Sequence, residues 1–181
     1  VTRTARLVGP AVLCLLLALA LSQFSTRQER LLPPPPPAGV PSELAASLVQ
    51  PRDVARYAPG TPQRAFLAWW RAAQYDDVAG AHAGLASALQ RRYPVPQLTT
   101  ELRLAAGGFT GLLPRIAGAA PGARGEVALQ VDLVAFAKGR PAAIVPQTFQ
   151  LRREGAGWRV SDVAYMTIKA AEGRAAAAGA R

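Results

Sequence analysis

His82 is the single histidine of the chain, and with Asp132, Asp162 and Tyr165 it makes up the set of side chains in residues 61–168 whose chemistry suits proton transfer. Such a group works as a general acid or base only when a pocket holds it and shifts its pKa toward the working pH. Asp132 fails that geometric condition, because it alternates with Val127, Leu129, Val131, Leu133 and Ala135 and so points to the opposite face of a strand. Asp162 turns inward only if Trp158 and Val160 do, since the three share a face. His82 is then left without an obvious partner. No glycine-rich phosphate loop with a following lysine occurs, and no Ser-His-Asp spacing. The one cysteine, Cys14, excludes a disulfide within the chain and a cysteine-based metal site. The sequence assigns no catalytic residue, no metal and no cofactor. Its cavity candidates are His82, Trp69, Trp70, Trp158 and Tyr165, which include all three tryptophans.

The elements that must position these residues begin at Thr61-Pro62, an N-cap followed by proline in the first turn. Phe66, Trp69, Trp70 and Ala73 then recur at i, i+3, i+4 and i+7, one stripe of a helix with Arg64 and Arg71 outside it. The tryptophan pair therefore reads as core. Asp76 and Asp77 close this helix and cap a second, expected over about Asp77 to Arg92 and ended by Pro94. Val78, His82, Leu85 and Leu89 line its apolar face. A third, short helix is expected over Thr99 to Ala106, stopped by Gly107-Gly108.

Beyond it the period changes from helical to alternating. "LLPRIAGAA" reads as a weak strand interrupted by Pro114, and "EVALQVDLVAFAK" alternates over its whole length. "KGRP" supplies a tight turn around Gly139. "AAIVPQTFQLRR" and, after the "EGAG" turn, "WRVSDVAYMTI" complete an antiparallel meander of three strands, with the weaker strand as a fourth. Residues 169–181, mostly alanine with arginine and glycine, are expected as a disordered tail.

Upstream, Arg3 and Arg6 precede an uncharged apolar run from Leu7 to Leu21, the pattern of an export signal. Residues 1–24 read as a signal anchor with the N-terminus inside, or as a signal peptide if the Ala18-Leu19-Ala20 triplet is cut. Leu13, a large residue before Cys14, argues against a lipoprotein. Residues 25–60 are a linker whose five consecutive prolines, Pro33 to Pro37, form a stiff extended stalk. All but two of the 21 basic residues are arginine, the exceptions being Lys138 and Lys169, against 11 acidic ones. This excess reads more as GC-rich codon usage than as a binding surface. Arg91, Arg92, Arg152, Arg153 and Arg159 could still form patches, but nucleic-acid binding also needs exposed aromatics beside them, and the aromatics here belong to the core.

Helices ending in "YDD", a third short helix and a four-stranded sheet closing on "GWRVSDV" resemble the nuclear-transport-factor-two-like, or SnoaL-like, domain over residues 61–168. The resemblance implies an α+β fold in which helices pack on a curved, cone-like antiparallel sheet. That family holds isomerases, cyclases and dehydratases, and also members without activity. Among the latter are bitopic proteins of conjugation and type IV secretion machines with the same order of anchor, linker and outer domain, though this chain lacks the second copy of the domain that some of them carry. The expectation is a single-pass membrane protein with a non-catalytic binding or assembly domain outside the cell membrane, or a secreted one if the signal is cleaved. Its expected partners are other envelope proteins or a second copy. The alternative is an enzyme that takes a small hydrophobic ligand into the cone.

Overall fold

A computed structural model describes residues 42–137 and 140–180. The expected signal anchor, the proline run and the Lys138-Gly139 tip lie outside the described residues. The described chain is an α+β domain in which helices pack on a four-stranded antiparallel sheet with strand order β1-β2-β3-β4. After a 3₁₀ turn at Ser42–Ser47 come α1 (Pro51–Ala55), α2 (Pro62–Gln74), α3 (Val78–Ala83), α4 (Ser87–Arg92), α5 (Val95–Leu104) and α6 (Ala106–Thr110). The strands are β1 (Leu112–Pro121), β2 (Glu126–Ala137), β3 (Arg140–Glu154) and β4 (Gly157–Val160), and the chain closes with α7 (Ala164–Gly179).

The central helix α2 forms where the sequence places it. Thr61 Oγ1 accepts from the Arg64 N–H at 3.4 Å, and Pro62 occupies the first turn. Its stripe delivers Phe66, Leu67, Trp69 and Trp70 to the core, each no more than 4 % exposed, and burial of side chains this large stabilises by roughly 1.5–3 kcal/mol apiece. The helix ends in a reversal at Asp76, whose φ of 54° is left-handed, and the Asp77 side chain caps α3 by accepting from the Gly80 N–H at 2.9 Å. Both aspartates of "YDD" are thus chain-turning residues.

The second expected helix, Asp77 to Arg92, is two helices, α3 and α4, with Gly84-Leu85-Ala86 between them. There the backbone joins the sheet: Val160 N–H donates to the Gly84 carbonyl at 2.9 Å and Ala86 N–H to the Val160 carbonyl at 2.8 Å. A Cβ on Gly84 would sit 3.0–3.1 Å from the Trp69 side chain, so glycine lets this crossing press against the core. The third helix starts earlier than expected, at Val95, and α6 runs through Gly107-Gly108, which do not stop it.

The sheet is built on the β2–β3 ladder. Leu129 faces Phe149, Val131 faces Gln147 and Leu133 faces Val145, and this register turns the fully buried Leu129, Leu133 and Phe149 toward the helices. Asp132 pairs with Arg115 and Pro146 on the opposite face, as the alternation requires. The cone expected from the family resemblance is not formed, because the sheet is not strongly curled. β1–β2 and β2–β3 each have one register shift, and β4, only four residues long, adds little of the wrap a full fourth strand would give. The expected strand "WRVSDVAYMTI" is a strand only as far as Val160. Asp162 Oδ1 then accepts from the Ala164 N–H at 2.8 Å, and α7 begins.

Residues 169–180, expected as a disordered tail, belong to α7 up to Gly179. Met166 and Ala170, one turn apart, are wholly buried. A Cβ on Gly173 would come within 2.1 Å of the Leu104 carbonyl oxygen, so α7 lies against α5 at a distance that only glycine permits. The packed unit also begins before residue 61, since Ser47, Leu48 and Val49 are buried.

Candidate functional site

Trp69, Trp70 and Tyr165 meet in one aromatic cluster between α2, α7 and the sheet. Trp70 lies 4.8 Å from Phe109 and 5.6 Å from Tyr165 between ring centroids, and Phe66 lies 4.7 Å from Phe149. These spacings are those of rings in contact. The Tyr165 hydroxyl donates to the Gly108 carbonyl at 2.7 Å. Burial raises its pKa well above the ordinary tyrosine range, with the nearby Glu172 carboxylate adding to the effect, so the phenol is a hydrogen-bond donor at neutral pH. Trp70 Nε1 is buried without a hydrogen-bond partner.

The structure separates the remaining candidates from this cluster. His82 is half-buried on α3, and its Nε2 lies 3.3 Å from the Gln90 carbonyl on α4, while Gln90 Nε2 donates back to the carbonyls of His82 and Leu85 at 3.1 and 3.0 Å. This reciprocal clasp joins α3 to α4 across the Gly84 crossing. Trp158 is half-buried on β4 opposite Arg153. The cations of the β3–β4 hairpin are partly neutralised: Arg152 forms a 2.8 Å ion pair with Glu126. Glu154 is held below the usual carboxylate range, first by the Ser87 hydroxyl and backbone N–H and further by Arg152 and Arg159.

Gln74, which sequence reasoning missed, is a buried side chain that gathers several segments. Its Oε1 accepts from the Val49 N–H at 2.8 Å, and its Nε2 donates to the carbonyls of Ser47, Phe109 and Leu112 at 2.8–3.1 Å. The signal was present, since a glutamine four residues after Trp70 falls on the apolar stripe of α2, but its partners are distant in sequence.

Two of the surface clefts are lined by described residues. One of about 260 Å³ lies between α1, α2 and β1 and includes Asp53, Arg56, Tyr57 and Arg115. The other, about 400 Å³, lies between the end of α4 and the start of α7 and includes Arg92, Ser161, Asp162 and Thr167. Among the described residues, no group of three or more His, Cys, Asp or Glu side chains is placed to hold a metal ion, and no helix is long and apolar enough to cross a membrane.

The fold and these sites define an α+β domain of helices on a four-stranded antiparallel sheet. No family model, curated protein or solved structure matches the chain.

Proposed function

We propose that this chain is a membrane-anchored, extracytoplasmic binding or assembly domain of the nuclear-transport-factor-two-like kind, an accessory to other envelope proteins. The observation that carries this reading is the filled interior. Where a cone would hold a substrate, the rings of Phe66, Trp69, Trp70, Phe109, Phe149 and Tyr165 are in contact, which favours partners met at the surface. The helix-first order followed by an up-and-down meander supports the family kinship, in a flattened form. Arg3 and Arg6 before the Leu7–Leu21 run support the anchor and its orientation, and the five prolines support a stalk that holds the domain away from the bilayer.

The test is accessibility in cells that express the full chain. It should fractionate with membranes, and protease added to intact spheroplasts should cleave residues 41–181 while a cytoplasmic marker survives. Protection of the domain together with that marker would overturn the topology, and with it the role in the envelope.

A further inference from the structure

The cleft between α4 and α7 brings together an arginine, a carboxylate and two exposed or half-buried aliphatic side chains. Arg92 and Asp162 both line it, yet no ion pair joins them: neither has an oppositely charged side chain within 4.0 Å among the described residues. Arg92 instead lies over the Tyr93 ring, 5.4 Å from its centroid, and is otherwise exposed. One carboxylate oxygen of Asp162 caps α7 through Ala164. The Ser161 hydroxyl beneath the cleft residues is buried and has no hydrogen-bond partner among the described residues, which is a cost to the fold. The apolar walls are Leu89 and Ile168, and Ile168 is 56 % exposed although hydrophobic. A volume of about 400 Å³ falls in the size range of small-molecule sites, roughly 300–1,000 Å³.

Opposite charges that share a cleft without pairing suit a ligand that carries both signs. We propose that this cleft binds a small aliphatic zwitterion of the amino-acid class, with its carboxylate at Arg92, its ammonium at Asp162 and its side chain against Leu89 and Ile168. Arginine presents a planar fork that matches a carboxylate, and the free oxygen of Asp162 accepts from the ammonium. A pure anion would meet Asp162, and a pure cation would meet Arg92, so each half-ligand faces one repulsive group. The proposal does not depend on where the cell holds the domain.

The test uses the full chain, purified in detergent, with L-leucine as probe and two analogues that each lack one charge, 4-methylpentanoate and 3-methylbutylamine. Saturation-transfer NMR and calorimetry should show leucine binding, with both analogues weaker by roughly tenfold or more. Arg92→Gln should weaken leucine by roughly tenfold and leave 3-methylbutylamine unchanged or tighter. Asp162→Asn, which keeps an oxygen to cap α7, should weaken leucine and improve 4-methylpentanoate. No leucine binding to a chain with a cooperative thermal melt would overturn the proposal, as would affinity unchanged in both charge variants. Equal affinity for 4-methylpentanoate and leucine would mean an anion site and would overturn the zwitterion assignment.

Discussion

The two halves of β3 share one chain and one partner strand, yet they have opposite surroundings. From Gln147 to Glu154 the strand carries the buried Phe149 and Leu151, has helices over its inner face and is joined along its outer edge by β4. From Arg140 to Pro146 every residue is exposed, Ile144 and Val145 by 58 % and 43 %, although the ladder to β2 continues. The Gln150 carbonyl accepts from Ser161 and so faces away from β2. By alternation Thr148, Pro146 and Ile144 turn their backbone groups to the same open side. Pro146 therefore sits where its missing N–H costs no ladder bond, and there it also discourages another strand from pairing. Strand pairing alone thus does not make a core. The difference lies in what lies over the strand.

The largest effect should come from removing the covering contact itself. Phe149→Ala takes a ring out of the aromatic cluster and should cost about 3–5 kcal/mol in urea unfolding; a cost close to that of a surface substitution would mean that the covered half owes its stability to the ladder.

Gly173→Ala is the next sharpest, because the two descriptions of the C-terminal segment disagree on its sign. In a loose tail or a solvated helix, alanine for glycine would be neutral or would stabilise by about 1 kcal/mol. Against the Leu104 carbonyl it should destabilise by about 1–3 kcal/mol, the usual cost of overpacking. A thermal melt reads the sign directly.

That disagreement shows where the sequence stops being legible. Helix α2 could be read because its start signal and its stripe are local, and the β2 strand because its alternation is uninterrupted. The segment after Val160 could not, because Val163, Tyr165, Thr167 and Ile168 have the propensities of a strand, and only Met166 and Ala170 buried under α5 and α6 reverse the choice. The break at Gly84 depends on Trp69 and Val160, neither of them a local neighbour. Of the candidate side chains, the sequence read Trp69 and Trp70 as core, and both are buried. It could not know that the rings would fill the interior, and it passed over Gln74 and Ser161, whose meaning lies wholly in what surrounds them.

Tyr165→Phe keeps the ring and removes the bond to Gly108, so it should cost about 0.5–1.5 kcal/mol at neutral pH. The raised pKa adds a signature. A phenol protonated more tightly in the folded state lends stability that is whole below its unfolded pKa of about 10 and is lost as pH rises through the folded value. The native chain should therefore lose stability above about pH 10, and the phenylalanine variant should lose less; parallel alkaline melts of the two would refute this.

Ser87→Ala should have a smaller effect, also readable through pH. Glu154 has a lowered pKa because Ser87 donates to it, so its contribution is present above the unfolded glutamate pKa of about 4.3 and disappears as pH falls through the lower folded value. The gap between native and variant melting temperatures should close on acidification, and a gap that persists at about pH 2 would assign the effect to something other than the carboxylate. Ile144→Ala, on the bare half, should stay within about 0.5 kcal/mol of native stability; a loss comparable to that of Phe149→Ala would show that the exposed half is covered by something after all.

Gln74 has a mechanical consequence. Tension applied at the N-terminal end of the described fold would be carried by the bonds that tie Ser47 and Val49 to the Gln74 amide, beside the bond from the Ser47 hydroxyl to the Thr110 carbonyl. The same amide holds Phe109 and Leu112, so a tug would reach the C-terminal end of α2 and be shared with the α6–β1 junction at once. Load spread over several bonds at a central helix is resisted jointly, whereas a strand at the rim would unzip one bond at a time. The glutamine is, in that sense, a mooring.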